Sequence, residues 1–206
     1  QQMTQRLSTS LSSLQAVSMR LTALIELGME LGSERDAQTL IHTGCQVARH
    51  ICVARYACIG VLDRSGGALA HFASCGDNGQ AAVVGSAPKA GVLATLLDKG
   101  TVVRMDGLGG DPREAGLPQD HPAVHSFLGV PLAARGRVHG WLYLVDKLGE
   151  ARFSEVDERV VATVAAQIAV SYENLVLYGE TRRHQQQLAA ELEQRARMDN
   201  ELRRFR

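Results

Sequence analysis

His121 and Pro122 stand together at the end of a long breaker-rich stretch, just ahead of an apolar strand signal, and are the first candidates for chemistry. Pro122 disfavours the right-handed helical region at His121, so the imidazole should stand on extended backbone and not on a helix face. A neutral imidazole in such a place is a sound ligand for iron, and a nearby phenol can tune a bound molecule by hydrogen bonding. Tyr143 supplies a phenol on an apolar strand, although that position equally suits a core tyrosine with a satisfied hydroxyl. His125, four residues past His121, reads as a residue that braces the loop.

The four cysteines, Cys45, Cys52, Cys58 and Cys75, contain no C-x-x-C and are too sparse for a disulfide framework. Reduced thiols in a cytoplasmic protein are the expected state. Cys45 and Cys52 fall at the edge of an amphipathic helix, and His42 lies further round it, which argues against a metal site. Gly107, Gly109 and Gly110 do not lead from a strand into a helix, so they make no dinucleotide site.

The bulk composition excludes several classes. Lys+Arg and Asp+Glu are 22 each, and the formal net charge of 0 gives no pull toward nucleic acid or an anionic membrane. Aromatic residues are 4%, which argues against base-stacking platforms. With 45% hydrophobic residues the 206-residue chain can bury a core. No unbroken apolar run of about 18 residues suggests a membrane span, and no apolar leader precedes Leu7. The opening Gln1 suggests a piece of a longer protein.

The breakers place the elements. All five prolines lie between Pro88 and Pro131, leaving both ends free to be long helices. Leu7, Leu14, Leu21 and Gly28, interleaved with Ser10, Val17, Leu24 and Leu31, form a heptad seam of the kind that pairs helices side by side. Asp36 can cap a second helix to Ile51 that carries Leu40, Ile41, Gly44, Val47 and Ala48 on one face. Tyr56 to Leu62 and Leu69 to Cys75 read as a hairpin, and Cys58 and Cys75 on it could face a pocket. A short helix from Gly91, a strand from Thr101 to Met105 and a loop from Asp106 to Asp120 follow. That loop, with three glycines in its first five residues, reads as a lid. Ser126 to Ala134 and Val138 to Val145 form another hairpin. Ser154 and Asp157, three apart after Phe153, start a long final helix. From Glu180 onward 12 of 27 residues are charged, the composition of a helical linker.

This order predicts an α+β fold with an antiparallel sheet flanked by helices and with coiled-coil-type helices at both ends. The series Phe127-Leu128-Gly129-Val130-Pro131, Gly140-Trp141-Leu142-Tyr143-Leu144-Val145-Asp146-Lys147, Phe153-Ser154-Glu155-Val156-Asp157, Ala165-Ala166-Gln167-Ile168-Ala169 and Tyr172-Glu173-Asn174 resembles the C-terminal half of a GAF domain. The resemblance covers about residues 20–180. It implies an N-terminal signalling helix over 1–19, the GAF domain over 20–180, and a linker over 181–206 toward a separate output domain.

GAF domains are small-molecule sensor modules of signalling proteins, so the resemblance implies a cytoplasmic, homodimeric, non-enzymatic sensor. Its parent chain would be a two-component histidine kinase or a cyclic-di-GMP enzyme. In haem-binding GAF sensors a His of an H-P motif before this strand is the proximal ligand, and a Tyr of the next strand lies on the distal side. By that resemblance His121, Tyr143 and Phe127 are the candidate cofactor-binding residues, with His121 the metal ligand if haem is bound. Another small ligand, or a purely dimerising domain, fits the same motifs. Asp146-Lys147, Phe153 and Asp157-Glu158 only partly echo the N-K-F-D-E signature of cyclic-nucleotide-binding members. The bilin-attaching Cys-His arrangement is absent. The methionine sulfoxide reductases of this fold use paired cysteines, and no cysteine stands between 85 and 130 to partner Cys75.

Overall fold

In the computed structural model the described residues are 36–76, 88 and 90–204. The heptad seam from Leu7 to Leu31 lies outside them. Asp36 caps α1 (Ala37–Ile51), its carboxylate accepting the Thr39 N–H at 2.8 Å. The helix buries Leu40, Ile41, Gly44, Cys45 and Ala48 along one stripe. β1 (Ala54–Leu62) turns back into β2 (Leu69–Gly76) around Asp63, whose carboxylate accepts the Ser65 hydroxyl and the N–H groups of Gly67 and Ala68. α2 (Gly91–Lys99) ends on Gly100 in the left-handed region at φ 60°, a common helix stop. The short β3 (Val103–Met105) precedes the long loop. β4 (Phe127–Ala134) and β5 (Arg137–Lys147) are joined by Arg135 and Gly136, both at positive φ, the two-residue turn whose twist matches antiparallel strands.

The strands make one antiparallel sheet in the order β2-β1-β5-β4-β3. α3 (Glu155–Arg204) starts where Ser154 and Asp157 exchange hydrogen bonds: the Ser154 N–H donates to the carboxylate at 2.8 Å and the Asp157 N–H to Ser154 Oγ at 3.2 Å. Its first part, with α1, covers one face of the sheet through Val161, Val164, Ala165 and Ile168. α2 and the loop cover the other face. Gly44 admits the long helix: a Cβ there would sit 2.5 Å from Ile168 Cδ1.

The fold is therefore α+β, three layers deep about an antiparallel sheet, as expected. α3 runs uninterrupted through Gly179, and every side chain from Thr181 to Met198 is exposed. One 18-residue window of α3 reaches a mean hydropathy of 1.5, enough by composition to cross a membrane, but 39% of that window is buried within the protein. The contiguous-run reading of the sequence passes over this window, because buried apolar residues alternate with exposed ones along an amphipathic helix.

Candidate functional site

Strand alternation sorts β5 into two rows. Leu142 and Leu144 join the core under α1 and α3, whereas Trp141, Tyr143 and Val145 face α2 and the loop. The register sets Gly60 of β1 opposite Trp141, and Cys58 and Gly129 on either side of Tyr143. Large rings thus meet small neighbours. A Cβ on Gly60 would lie 2.2 Å from the Trp141 indole, and one on Gly129 2.8 Å from both Leu96 and Phe127.

The loop completes this face. A 3-10 turn, Pro112–Ala115, is capped by Asp111, and Glu114 accepts the Gly109 N–H at 2.8 Å. Ala115 and Leu117 are buried in the wall of the site. Gly116 crosses the first turn of α2 so closely that a Cβ on it would stand 2.9 Å from Gly91 Cα. The loop is therefore packed in as a wall, unlike the open lid its glycine content suggests. Past it, Asp146 takes the N–H groups of His125 and Ser126 at 2.7 and 3.2 Å, and its other oxygen lies 3.2 Å from His125 Nδ1. His125 is a brace, and the bracing fixes the segment that carries His121.

His121 is 5% exposed and Tyr143 4%. His121 Nδ1 lies 2.8 Å from the Pro122 carbonyl, which only accepts, so Nδ1 carries the proton and Nε2 is the acceptor. Tyr143 therefore donates its hydroxyl to Nε2, at 3.1 Å. The Phe127 ring stacks on Tyr143 with centroids 5.5 Å apart. Cys58 stands opposite Tyr143 on the neighbouring strand and is fully buried. Burial holds the His121 imidazole below its ordinary range, pushes the Cys58 thiol up to about 12 and raises Tyr143 well above the usual phenol. At neutral pH the whole row is uncharged.

His121, Tyr143 and Phe127 thus meet, but not in the way haem needs. The two side chains assigned to opposite sides of a porphyrin are hydrogen-bonded directly to each other, and the nitrogen that would bind iron is the one already accepting a proton. This arrangement does not fit haem. Among the described residues no group of three or more His, Cys, Asp or Glu side chains could hold a metal ion.

One feature of the site, Trp141, is not singled out by the sequence. Trp141 is 1% exposed, and its Nε1–H has no hydrogen-bond partner among the described residues. Its place two residues before Tyr143 on one strand was the available signal. The expectation that Cys75 faces the pocket with Cys58 is corrected: its row of β2 faces α1, and its sulfur stands 3.4 Å from Cys45 Sγ. The partial N-K-F-D-E echo is structural. Lys147 Nζ reaches Asp157 at 2.9 Å with both side chains nearly buried, tying β5 to the start of α3.

Residues 34–172 match the GAF domain family. Among solved structures, the GAF domain of a phosphoenolpyruvate-protein phosphotransferase from Acinetobacter is 25% identical, with a TM-score of 0.63 over 76% of this chain and 93% of that one. The free methionine-R-sulfoxide reductase of Neisseria meningitidis, solved with its substrate, is 20% identical, with a TM-score of 0.59 over 78% of this chain and 92% of that one. The second GAF domain of DevS from Mycobacterium smegmatis is 20% identical, with a TM-score of 0.54 over 72% of this chain and 99% of that one. Regulatory modules and an enzyme share this architecture, so fold alone does not choose between them.

Proposed function

The chain belongs to the GAF domain family, and on that premise we propose that it is a regulatory module that binds a small organic ligand against the Trp141–Tyr143 row. The observation that carries this reading is the Trp141 indole N–H, buried and without a partner among the described residues, two positions along the strand from the hydrogen-bonded Tyr143. An unsatisfied buried donor costs about 1–3 kcal/mol, which a ligand acceptor would recover. The polar side chains of the row are uncharged, so the ligand is a largely uncharged molecule with an apolar body and at least one acceptor, not a phosphate or a free carboxylate.

Trp141 is the only tryptophan, so the protein carries its own probe. A panel of uncharged heterocycles and aromatic amides, matched against carboxylates and nucleoside phosphates, is followed by tryptophan emission and by thermal shift. Neutral members should change the emission saturably and raise Tm, and Trp141→Phe should lose the Tm response. A panel in which only anions raise Tm, or nothing does, sinks the reading.

The relay runs through α3, which carries the signal in a cytoplasmic homodimer toward the output domain of a signalling chain. At about 1.5 Å per residue the exposed stretch from Thr181 to Met198 projects roughly 27 Å beyond the sheet. A lone helix of that length is marginal in water, and Leu188 and Leu192, four apart and exposed, offer a seam for a second copy.

The module is not an enzyme in this reading. Cys58, the cysteine at the site, is held as a thiol up to about 12 and is a poor nucleophile at neutral pH. Free methionine-R-sulfoxide with dithiothreitol should give no turnover.

A further inference from the structure

On the opposite face of the sheet lies a pair of groups that the ligand site does not use. Cys45, in the buried stripe of α1, and Cys75, on the edge strand β2, place their sulfurs 3.4 Å apart. We propose that Cys45 and Cys75 are a modification site, a dithiol that hydrogen peroxide converts to a reversible intramolecular disulfide.

The geometry already brings the two chains together. Cys75 pairs with Ala57 in the sheet, and the Cys45 thiol also reaches the Ala57 and Ala73 carbonyls at 3.3 and 3.7 Å. A disulfide needs sulfurs about 2.05 Å apart, so the remaining approach of about 1.4 Å is on the scale of side-chain rotation. The two thiols are not equivalent. Cys45 is fully buried, whereas Cys75 is partly exposed and is the one an oxidant can reach. The Cys45–Cys75 hydrogen bond and the Arg49 guanidinium, one helical turn past Cys45, draw the Cys75 thiol below its ordinary range, and the same hydrogen bond together with burial pushes Cys45 up. Cys75 is therefore the attacking sulfur and Cys45 the resolving one.

The steps balance. The Cys75 thiolate attacks one peroxide oxygen; an S–O bond forms, the O–O bond breaks, and the released hydroxide takes up a proton to leave as water. The Cys45 sulfur then attacks the sulfenic sulfur; the S–S bond forms, the S–O bond breaks, and the departing hydroxide leaves as water with the Cys45 proton. Two thiols lose two electrons and one peroxide is reduced to two waters. The product links α1 to the sheet edge next to Gly44, where α1 touches Ile168 of the long helix. The site stands or falls independently of any ligand at Trp141.

Reduced protein is treated with hydrogen peroxide, its free thiols are counted after denaturation, and its peptides are mapped by mass spectrometry. Two of the four thiols should disappear. The intact mass should fall by two hydrogens, one linked peptide pair should contain Cys45 and Cys75, and dithiothreitol should restore all four thiols. Cys75→Ser should keep its remaining thiols under the same dose. Cys45→Ala should accumulate a sulfenic acid on Cys75 that dimedone traps; if that variant does not fold, the wild-type map decides alone. The proposal is overturned if loss spreads evenly to Cys52 and Cys58, if Cys75 links to a second copy, if wild-type Cys75 over-oxidises while Cys45 stays free, or if no thiol reacts at a dose that oxidises free cysteine.

Discussion

The Tyr143 hydroxyl donates to His121 Nε2 at 3.1 Å, and this bond joins the end of the long loop to the middle of the sheet. Tyr143→Phe keeps the ring that stacks on Phe127 but strands a buried imidazole nitrogen. The expected loss is about 1–3 kcal/mol in denaturant unfolding. The His121 imidazole is held below its ordinary 6.5 by burial, so the unfolded chain binds its proton first. Its contribution is complete above pH 6.5 and fades as pH falls through the lowered value. Unfolding midpoints between pH 7 and 5 should fall in wild type and fall less in His121→Asn. Equal slopes in the two proteins would remove this account.

Haemin added to the reduced protein should keep the spectrum of free haemin, because His121 Nε2 is engaged and no porphyrin plane fits between it and Tyr143. A stoichiometric Soret band that His121→Ala abolishes would show that the row opens for haem.

Asp157 should make the protein acid-labile. Burial alone would raise its carboxyl, but the Ser154 hydrogen bonds and the Lys147 ammonium outweigh this and hold it below 3.8. Its stabilisation is present above that value and is lost as pH falls through the lowered one. Asp157→Asn also leaves the Lys147 ammonium nearly buried without its counter-charge, and about 3–5 kcal/mol should be lost at neutral pH. Urea unfolding of the variant at pH 7, and of wild type down to pH 3, measures both effects.

Gly60 should be intolerant of a methyl group. A Cβ there would stand 2.2 Å from the indole with no flexible chain end to yield, so Gly60→Ala must tilt Trp141 or move β1. Overpacking of this kind costs about 1–3 kcal/mol. Because Trp141 is the only tryptophan, its emission should shift to the red as the ring leaves its buried position. An unshifted spectrum with unchanged stability would mean that the indole does not lie across Gly60.

Much of the architecture was legible in the chain. Asp36 and the Ser154–Asp157 pair announced two helix starts because capping is local chemistry, and the Arg135-Gly136-Arg137 break between two apolar runs announced a hairpin for the same reason. The GAF motifs located β4 and β5. Long-range pairing was not legible. Cys75 reads as a pocket residue until the β1–β2 register turns it toward α1. Cys45 then becomes its neighbour from 30 residues away. The loop from Asp106 reads as a lid because its glycines suggest freedom. Gly116 is there because the backbone passes α2 too closely for any side chain. The Trp141 orphan is legible only once every possible partner of the indole has a position.

The exposed end of α3 gives the most direct test of the relay. Leu188 is 48% exposed and Leu192 66%, and both stand in the stretch from Thr181 to Met198 whose side chains are all exposed. Two such helices side by side would bury these leucines and leave the charged residues from Glu180 onward to solvent. Leu188→Glu with Leu192→Glu should therefore lower association without lowering the Tm of the GAF core, because both side chains are exposed. Sedimentation equilibrium at micromolar concentration reads the first effect and thermal unfolding the second. A wild-type protein that stays monomeric at high micromolar concentration would remove the helix pair. A double variant that associates as tightly as wild type would place the contact elsewhere on the chain.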